Sequence, residues 1–177
     1  THTHTHTHTH THTHADMTRN MRKRLRVQPS YGYKHPDCAM QPPPGVDAAN
    51  PRANNSMGNI IRWKETGDFD GIRFQWDHFI LAGDPANERA EAKGNIKGDI
   101  YACPDGITFD QRGVLWIQTD AHATQMYKGE LARVGNNQML ACDPVSGETR
   151  RFLTGPTHCE VTGVALTPDG TTMFVSI

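Results

Sequence analysis

Gly106-Ile107-Thr108-Phe109-Asp110-Gln111-Arg112-Gly113-Val114-Leu115-Trp116-Ile117 returns 57 residues later as Gly163-Val164-Ala165-Leu166-Thr167-Pro168-Asp169-Gly170-Thr171-Thr172-Met173-Phe174-Val175. Each copy reads as a short strand, a turn containing Gly and a second strand, and the second copy carries one extra turn residue. Between them, Met139–Asp143 and Glu148–Leu153 read as another hairpin. Its turn, Asp143-Pro144-Val145-Ser146-Gly147, sets Pro and Gly where fixed and positive φ are wanted. Hairpin, outer hairpin, hairpin is how four-stranded blades repeat around an axis. A spacing of 57 residues exceeds the ~40–50 of one blade, so the Gly-bearing stretch Lys128–Asn137 is expected to be an inserted loop. A two-sheet sandwich is the competing all-β reading, but its hairpins would not be expected to repeat one template. The expected fold is all-β, a partial β-propeller of about two blades with irregular loops, where a closed ring has about four to eight. The apolar, alternating Met173-Phe174-Val175-Ser176-Ile177 fits the tail end of such a ring.

Outward from this core, Ile60-Ile61-Arg62-Trp63-Lys64 and Ile72-Arg73-Phe74-Gln75-Trp76 read as a further hairpin, turning at Thr66-Gly67-Asp68. Earlier still the pattern dissolves. Residues 1–14 are seven Thr-His dipeptides, as a translated two-base repeat would give, and are set apart as low-complexity and a probable artefact. An extended Thr-His tract would also align its imidazoles for a metal, the less economical reading. Residues 15–45 hold a basic cluster (Arg19, Arg22, Lys23, Arg24, Arg26) and Pro29, Pro36 and Pro42-Pro43-Pro44, and are read as irregular. Val27-Gln28-Pro29-Ser30 follows the basic cluster where a secretory leader would need an apolar run, so no signal peptide is expected in this chain. Residues 46–177 are the expected folded part.

Eighteen Lys+Arg against nineteen Asp+Glu leave a net charge of −1, which argues against nucleic acid as a partner. No apolar run approaches the ~18–20 residues of a transmembrane helix. The four cysteines (Cys38, Cys103, Cys142, Cys159) form no C-x-x-C pair, so a structural zinc site is not expected and buried free thiols are the simpler reading.

The residues that carry chemistry flank the repeated strands. Asp105 precedes the first copy and Glu160 the second, one and three residues ahead of the matching glycines Gly106 and Gly163, and Asp120 closes Leu115-Trp116-Ile117-Gln118-Thr119. Three carboxylates converging on a channel repel one another unless a cation lies between them. Hard oxygen donors favour Ca²⁺ or Mg²⁺. Asp also caps turns, and spacing alone favours that plainer role.

In its ordered motifs the chain resembles the calcium-dependent PhoX alkaline phosphatases. They are Asn50-Pro51-Arg52-Ala53-Asn54-Asn55, Leu81-Ala82-Gly83-Asp84-Pro85, Gly94-Asn95-Ile96-Lys97-Gly98-Asp99, Pro104-Asp105-Gly106, Leu115–Asp120, Gly135-Asn136-Asn137, Arg151–Pro156 and Cys159–Gly163. The resemblance runs over roughly residues 45–177. It implies a six-bladed ring exported to the periplasm, monomeric when complete, that hydrolyses phosphate monoesters with Fe³⁺ and Ca²⁺ on the channel axis. It also implies that Asp105, Asp120 and Glu160 are metal ligands, Ca²⁺ before Fe³⁺, whose cysteine ligand and most other ligands are absent here. By charge, Lys97, Arg150 and Arg151 are candidates for phosphate, with an outer surface role expected for the two arginines. The expectation is therefore a C-terminal fragment, inactive alone and marginally folded. The alternatives are a calcium propeller lactonase of gluconolactonase type, which shares a segment like Asp105–Trp116, and a non-catalytic propeller remnant whose sheet edges pair with another chain.

Overall fold

The computed structural model describes residues 25–26, 46–66 and 73–177. The Thr-His tract, most of the basic and Pro-rich segment, and the Gly67-Asp68 turn lie outside them. The described chain is all-β apart from a three-residue 3₁₀ turn at Gly129–Leu131. Its strands are β1 (Leu25–Arg26), β2 (Asn59–Glu65), β3 (Phe74–Leu81), β4 (Lys97–Gly98), β5 (Pro104–Phe109), β6 (Leu115–Thr119), β7 (Gln138–Cys142), β8 (Glu148–Thr154), β9 (Gly163–Leu166) and β10 (Met173–Ser176). They form three sheets, in the orders β1-β2-β3, β4-β8-β7-β6-β5 and β10-β9. These sheets are not closed into a ring.

The centre is the antiparallel meander β5-β6-β7-β8, which β4 extends by pairing parallel to β8. β6 reads Leu-Trp-Ile-Gln-Thr and is buried at every position, because both faces of its sheet are covered. Its side chains alternate between the faces, with the period of two that a strand imposes. Leu115 and Ile117 join Leu140, Cys142, Tyr101, Ile60 and Ile80 in the larger core. Trp116 turns the other way, onto Met139 and Val161, with Val164, Met173 and Val175 of β9–β10 packed against them. Each such large apolar side chain removed from water contributes about 1.5–3 kcal/mol, so the two faces together fix the register of β6.

The strand pairs of the four hairpins read from the sequence are present, and one differs in extent. Its second arm, expected over 72–76, runs over Phe74–Leu81. Asn59 and Ile60 pair with Leu81 and Ile80, so the apolar Phe79-Ile80-Leu81 end enters the core while Phe74 and Trp76 at the other end stay exposed. The 128–137 loop, expected as an insertion, is fastened across to 84–91. Arg133 pairs there with Asp84, and Arg89 pairs with Glu130 at 2.9 Å.

The segment before β2 is organised by one buried arginine. Arg52 donates from Nη1 to the carbonyls of Ala82 (2.7 Å) and Lys93 (3.1 Å) and from Nη2 to that of Gly58 (2.7 Å). Burial lowers its pKa to about 10. Asn55 works beside it, donating to the side-chain oxygens of Asn50 and Asn59 and accepting from the Met57 and Gly58 amides. The Asn-Pro-Arg-Ala-Asn-Asn motif is thus a structural clamp.

Candidate functional site

Asp105 sits where the β5–β6 pairing slips. Pro104 pairs with Thr119 and Ile107 with Ile117, and the register shift between them puts Asp105 and Gly106 on a bulge. A bulge re-aims side chains at a strand end. Pro104 is tolerated there because β5 is the sheet's edge and Pro is its first residue. Gly106 is required by close approach: a Cβ would lie 2.3 Å from Gln118 Oε1 and 3.0 Å from the Thr162 carbonyl. Gln118 is itself buried, and its Nε2 has no partner.

Asp120 follows β6 directly. Its amide donates to the carbonyl of Cys103 (2.9 Å), whose own amide donates to Met57 (2.7 Å), so the chain just before Asp105 is stitched to the chain at Asp120. Cys103 takes a left-handed φ of 53° to make this crossing, as does His158 (64°) two residues before Glu160. His158 is held by its amide donating to Asn136 Oδ1 (2.9 Å). Asn136 Nδ2 in turn donates to the carbonyls of Gly155 and Pro156.

The three carboxylates share one electrostatic environment. Partial desolvation by neighbouring protein raises the pKa of Asp120, and Asp105 raises it further, while His122 opposes both. Glu160 is also pushed up, by slight desolvation first and then by Asp120 and Asp105. Burial, with Asp120 adding to it, lifts the Cys103 thiol to about 12. This thiol is therefore protonated at neutral pH and not a thiolate donor.

The donors at this place are thus carboxylate oxygens under mutual repulsion, a set whose chemistry fits a hard cation. Among the described residues, no three His, Cys, Asp or Glu side chains are gathered tightly enough to hold a metal ion. Asp120 and Glu160 are exposed and Asp105 half-buried.

The basic candidates are engaged elsewhere. Lys97 Nζ donates to the Ser146 carbonyl at 2.9 Å. Arg150 pairs with Glu148 at 2.5 Å. Arg151 donates from Nε to Gln138 Oε1 and from Nη2 to the Ile100 carbonyl (3.3 Å), so its guanidinium is spent within the fold. Asn136, Asn137 and Gln118 stand inside sequence motifs but carry no role legible from their spacing. Buried amides in a Gly-bearing loop have no chemical signature of their own, and the one usable signal was that two adjacent Asn residues precede a strand.

A family model described as alkaline phosphatase PhoX matches residues 3–177, starting further toward the N-terminus than the motifs quoted above. Among solved structures, Pseudomonas fluorescens PhoX in complex with vanadate, a transition state analogue, is similar with a TM-score of 0.62 and 40% identity. The similarity covers 74% of this chain and 23% of that one, so the chain spans about a quarter of the length of that relative. No curated protein matches.

Proposed function

Because the chain belongs to the PhoX alkaline phosphatase family, we propose that it supplies one carboxylate wall, Asp105, Asp120 and Glu160, to a site that hydrolyses phosphate monoesters in a longer protein. The observation that supports this reading is that Asp120 feels the charge of Asp105, and Glu160 that of both, although Glu160 comes from the loop ahead of a different sheet. Ca²⁺ is the proposed occupant, with Fe³⁺ held mainly by residues beyond this chain. Bound cations would neutralise phosphoryl oxygens and help to generate an oxygen nucleophile. The chain's own part is to hold carboxylate oxygens on rigid backbone. Asp105 is fixed by the bulge, Asp120 by its amide bond to Cys103, and Glu160 by the loop that Asn136 secures.

The wider reading proposed with it is a propeller in which β5-β6-β7-β8 is one blade and β9–β10 opens the next. Support comes from the four-stranded meander and from the apolar side chains between it and β9–β10. Residues 46–177 would form this propeller part, to which Leu25–Arg26 adds the short strand paired with β2. The complete protein is proposed to be a periplasmic monomer, and the 177-residue chain alone to be without turnover. The lactonase alternative has no support in the comparisons.

The test pairs binding with activity. Terbium luminescence on this chain should show a site that D105N, D120N and E160Q each weaken at least about tenfold, a loss of the size seen when metal-site residues are changed. The same substitutions at the matching positions of the Pseudomonas protein should reduce hydrolysis of an aryl phosphate and its Ca²⁺ content together. Unchanged turnover and ion content there would end the proposal.

A further inference from the structure

One buried side chain lies between the segments that carry two of these carboxylates. Asn137 is 1% exposed and stands first in line before β7. Its Oδ1 accepts from the Ala121 amide (2.7 Å) and the Thr119 hydroxyl (3.1 Å). Its Nδ2 donates to the carbonyls of Ala121 (3.0 Å) and Cys159 (3.0 Å). The amide's four hydrogen-bonding positions are filled. Ala121 follows Asp120 and Cys159 precedes Glu160, so one planar group sets where both carboxylate-bearing residues leave the fold. Backbone bonds reinforce the frame, with Gly155 N donating to the Asn137 carbonyl at 2.9 Å. The Thr119 hydroxyl also accepts from the Gln138 amide at 2.9 Å.

The geometry points to Asn137 as a positioning residue, which sets the separation of Asp120 and Glu160 by bridging Ala121 to Cys159 and thereby tunes cation affinity at the site. This rests on the proposed role of the carboxylates. A rigid amide suits the task because both its donors and acceptors lie in one plane, and outer groups that orient ligands govern metal affinity strongly. Asp at this position would keep the shape and the acceptor half. It would replace the donor with an oxygen facing the carbonyls of Ala121 and Cys159, so the bridge would become a repulsion.

The experiment compares N137D with N55D in the full chain, reading both thermal midpoint and Tb³⁺ affinity. Asn55 is equally buried and bonds as fully, but in the clamp before β2. Both variants should lower the midpoint, while N137D alone should weaken Tb³⁺ at least tenfold. Equal affinities in the two variants would overturn the bridge and leave the carboxylate reading standing. A wild-type chain that binds no Tb³⁺ would overturn the carboxylate reading and the bridge with it. Should N137D fail to fold, amide exchange on the wild-type chain decides. Ca²⁺ should slow exchange of the Ala121 amide, which Asn137 holds, and leave the Gly58 amide, which Asn55 holds, unchanged. No difference between them at saturating Ca²⁺ would overturn the proposal.

Discussion

In the β5–β6 hairpin every residue of Leu115–Thr119 is buried, whereas β10 in the matching hairpin buries none and leaves Phe174 62% exposed. The turns are nonetheless built alike. Asp110 N donates to the Val114 carbonyl (3.0 Å) and Thr167 N to that of Thr172 (3.0 Å), and a glycine with positive φ follows in each, Gly113 at 83° and Gly170 at 67°. The side chain at the matched position organises each turn. Asp110 accepts from the amides of Arg112 and Val114 (both 2.9 Å), and Thr167 Oγ1 accepts from the Thr172 amide (3.1 Å). Local chemistry therefore shapes both hairpins equally, and the neighbouring strands decide which becomes core. β6 lies between β5 and β7, while among the described strands β9 and β10 pair with each other alone.

The sharpest way to break this comparison is to truncate both hairpins at their apolar contacts. Ile117→Ala should cost about 3–4 kcal/mol, in the upper range for a fully buried aliphatic side chain. Val175→Ala, at a half-buried site, should cost about 1 kcal/mol. Urea midpoints measure both, and equal losses would mean that β9–β10 is as much a part of the core as β6. Next comes the pair of matched glycines. Gly106→Ala forces its new methyl against Gln118 and the Thr162 carbonyl and should cost about 1–3 kcal/mol. At Gly163 a Cβ would meet Ser176 Oγ at an ordinary 3.6 Å. There Gly163→Ala should be neutral or stabilise by up to about 1 kcal/mol, through the entropy of the unfolded chain.

The strands were legible because alternation and turn residues are local signals, as in Leu115–Thr119 and Asp143–Gly147. β4 was not, since Lys97–Gly98 is two residues long and its parallel partner lies about fifty positions away, where Thr149 Oγ1 donates to the Lys97 carbonyl at 3.1 Å. The second arm of the first hairpin was misjudged in extent because Asp77 and His78 interrupt the apolar pattern, and only the contact of Ile80 with the core carries the strand past them. Of the proposed site, Asp105 and Glu160 stand out by type and by place ahead of the matched glycines, and Asp120 by closing Leu115–Thr119. The amides that hold their backbone do not, because an Asn that bonds four groups in a core has the same letter as one in a solvated loop.

A smaller effect separates the two turns by pH. Burial pushes the Asp110 carboxyl up, but hydrogen bonds from Val114, Trp116 and Arg112 outweigh it and hold the pKa below the ordinary value. A carboxyl depressed in the folded state stabilises at pH values above its unfolded pKa, about 3.9. That stabilisation is lost as pH falls through the lower folded value. Asp110→Asn should cost about 1.5–3 kcal/mol at pH 7, the range for hydrogen bonds to a charged group, and flatten the fall in urea midpoint between pH 5 and pH 2. Asp169 is depressed too, by Thr167 first and then Thr171, but it is exposed, and Asp169→Asn should change that profile less. Least of all, Phe174→Ser should shift stability within about ±0.5 kcal/mol while reducing self-association seen by light scattering. A larger loss would reveal that the ring packs in solution.

The clamp at Arg52 has a consequence of another kind. Its guanidinium is matched by carbonyl dipoles from Gly58, Ala82 and Lys93, and it has no carboxylate partner among the described residues. Ion–dipole attraction inside the protein is screened far less than surface ion pairs, so the 82–93 loop should keep its hold in brine that loosens Arg89 from Glu130. Gly58 stands just before β2 and Ala82 just after β3, so Arg52 latches the open end of that hairpin.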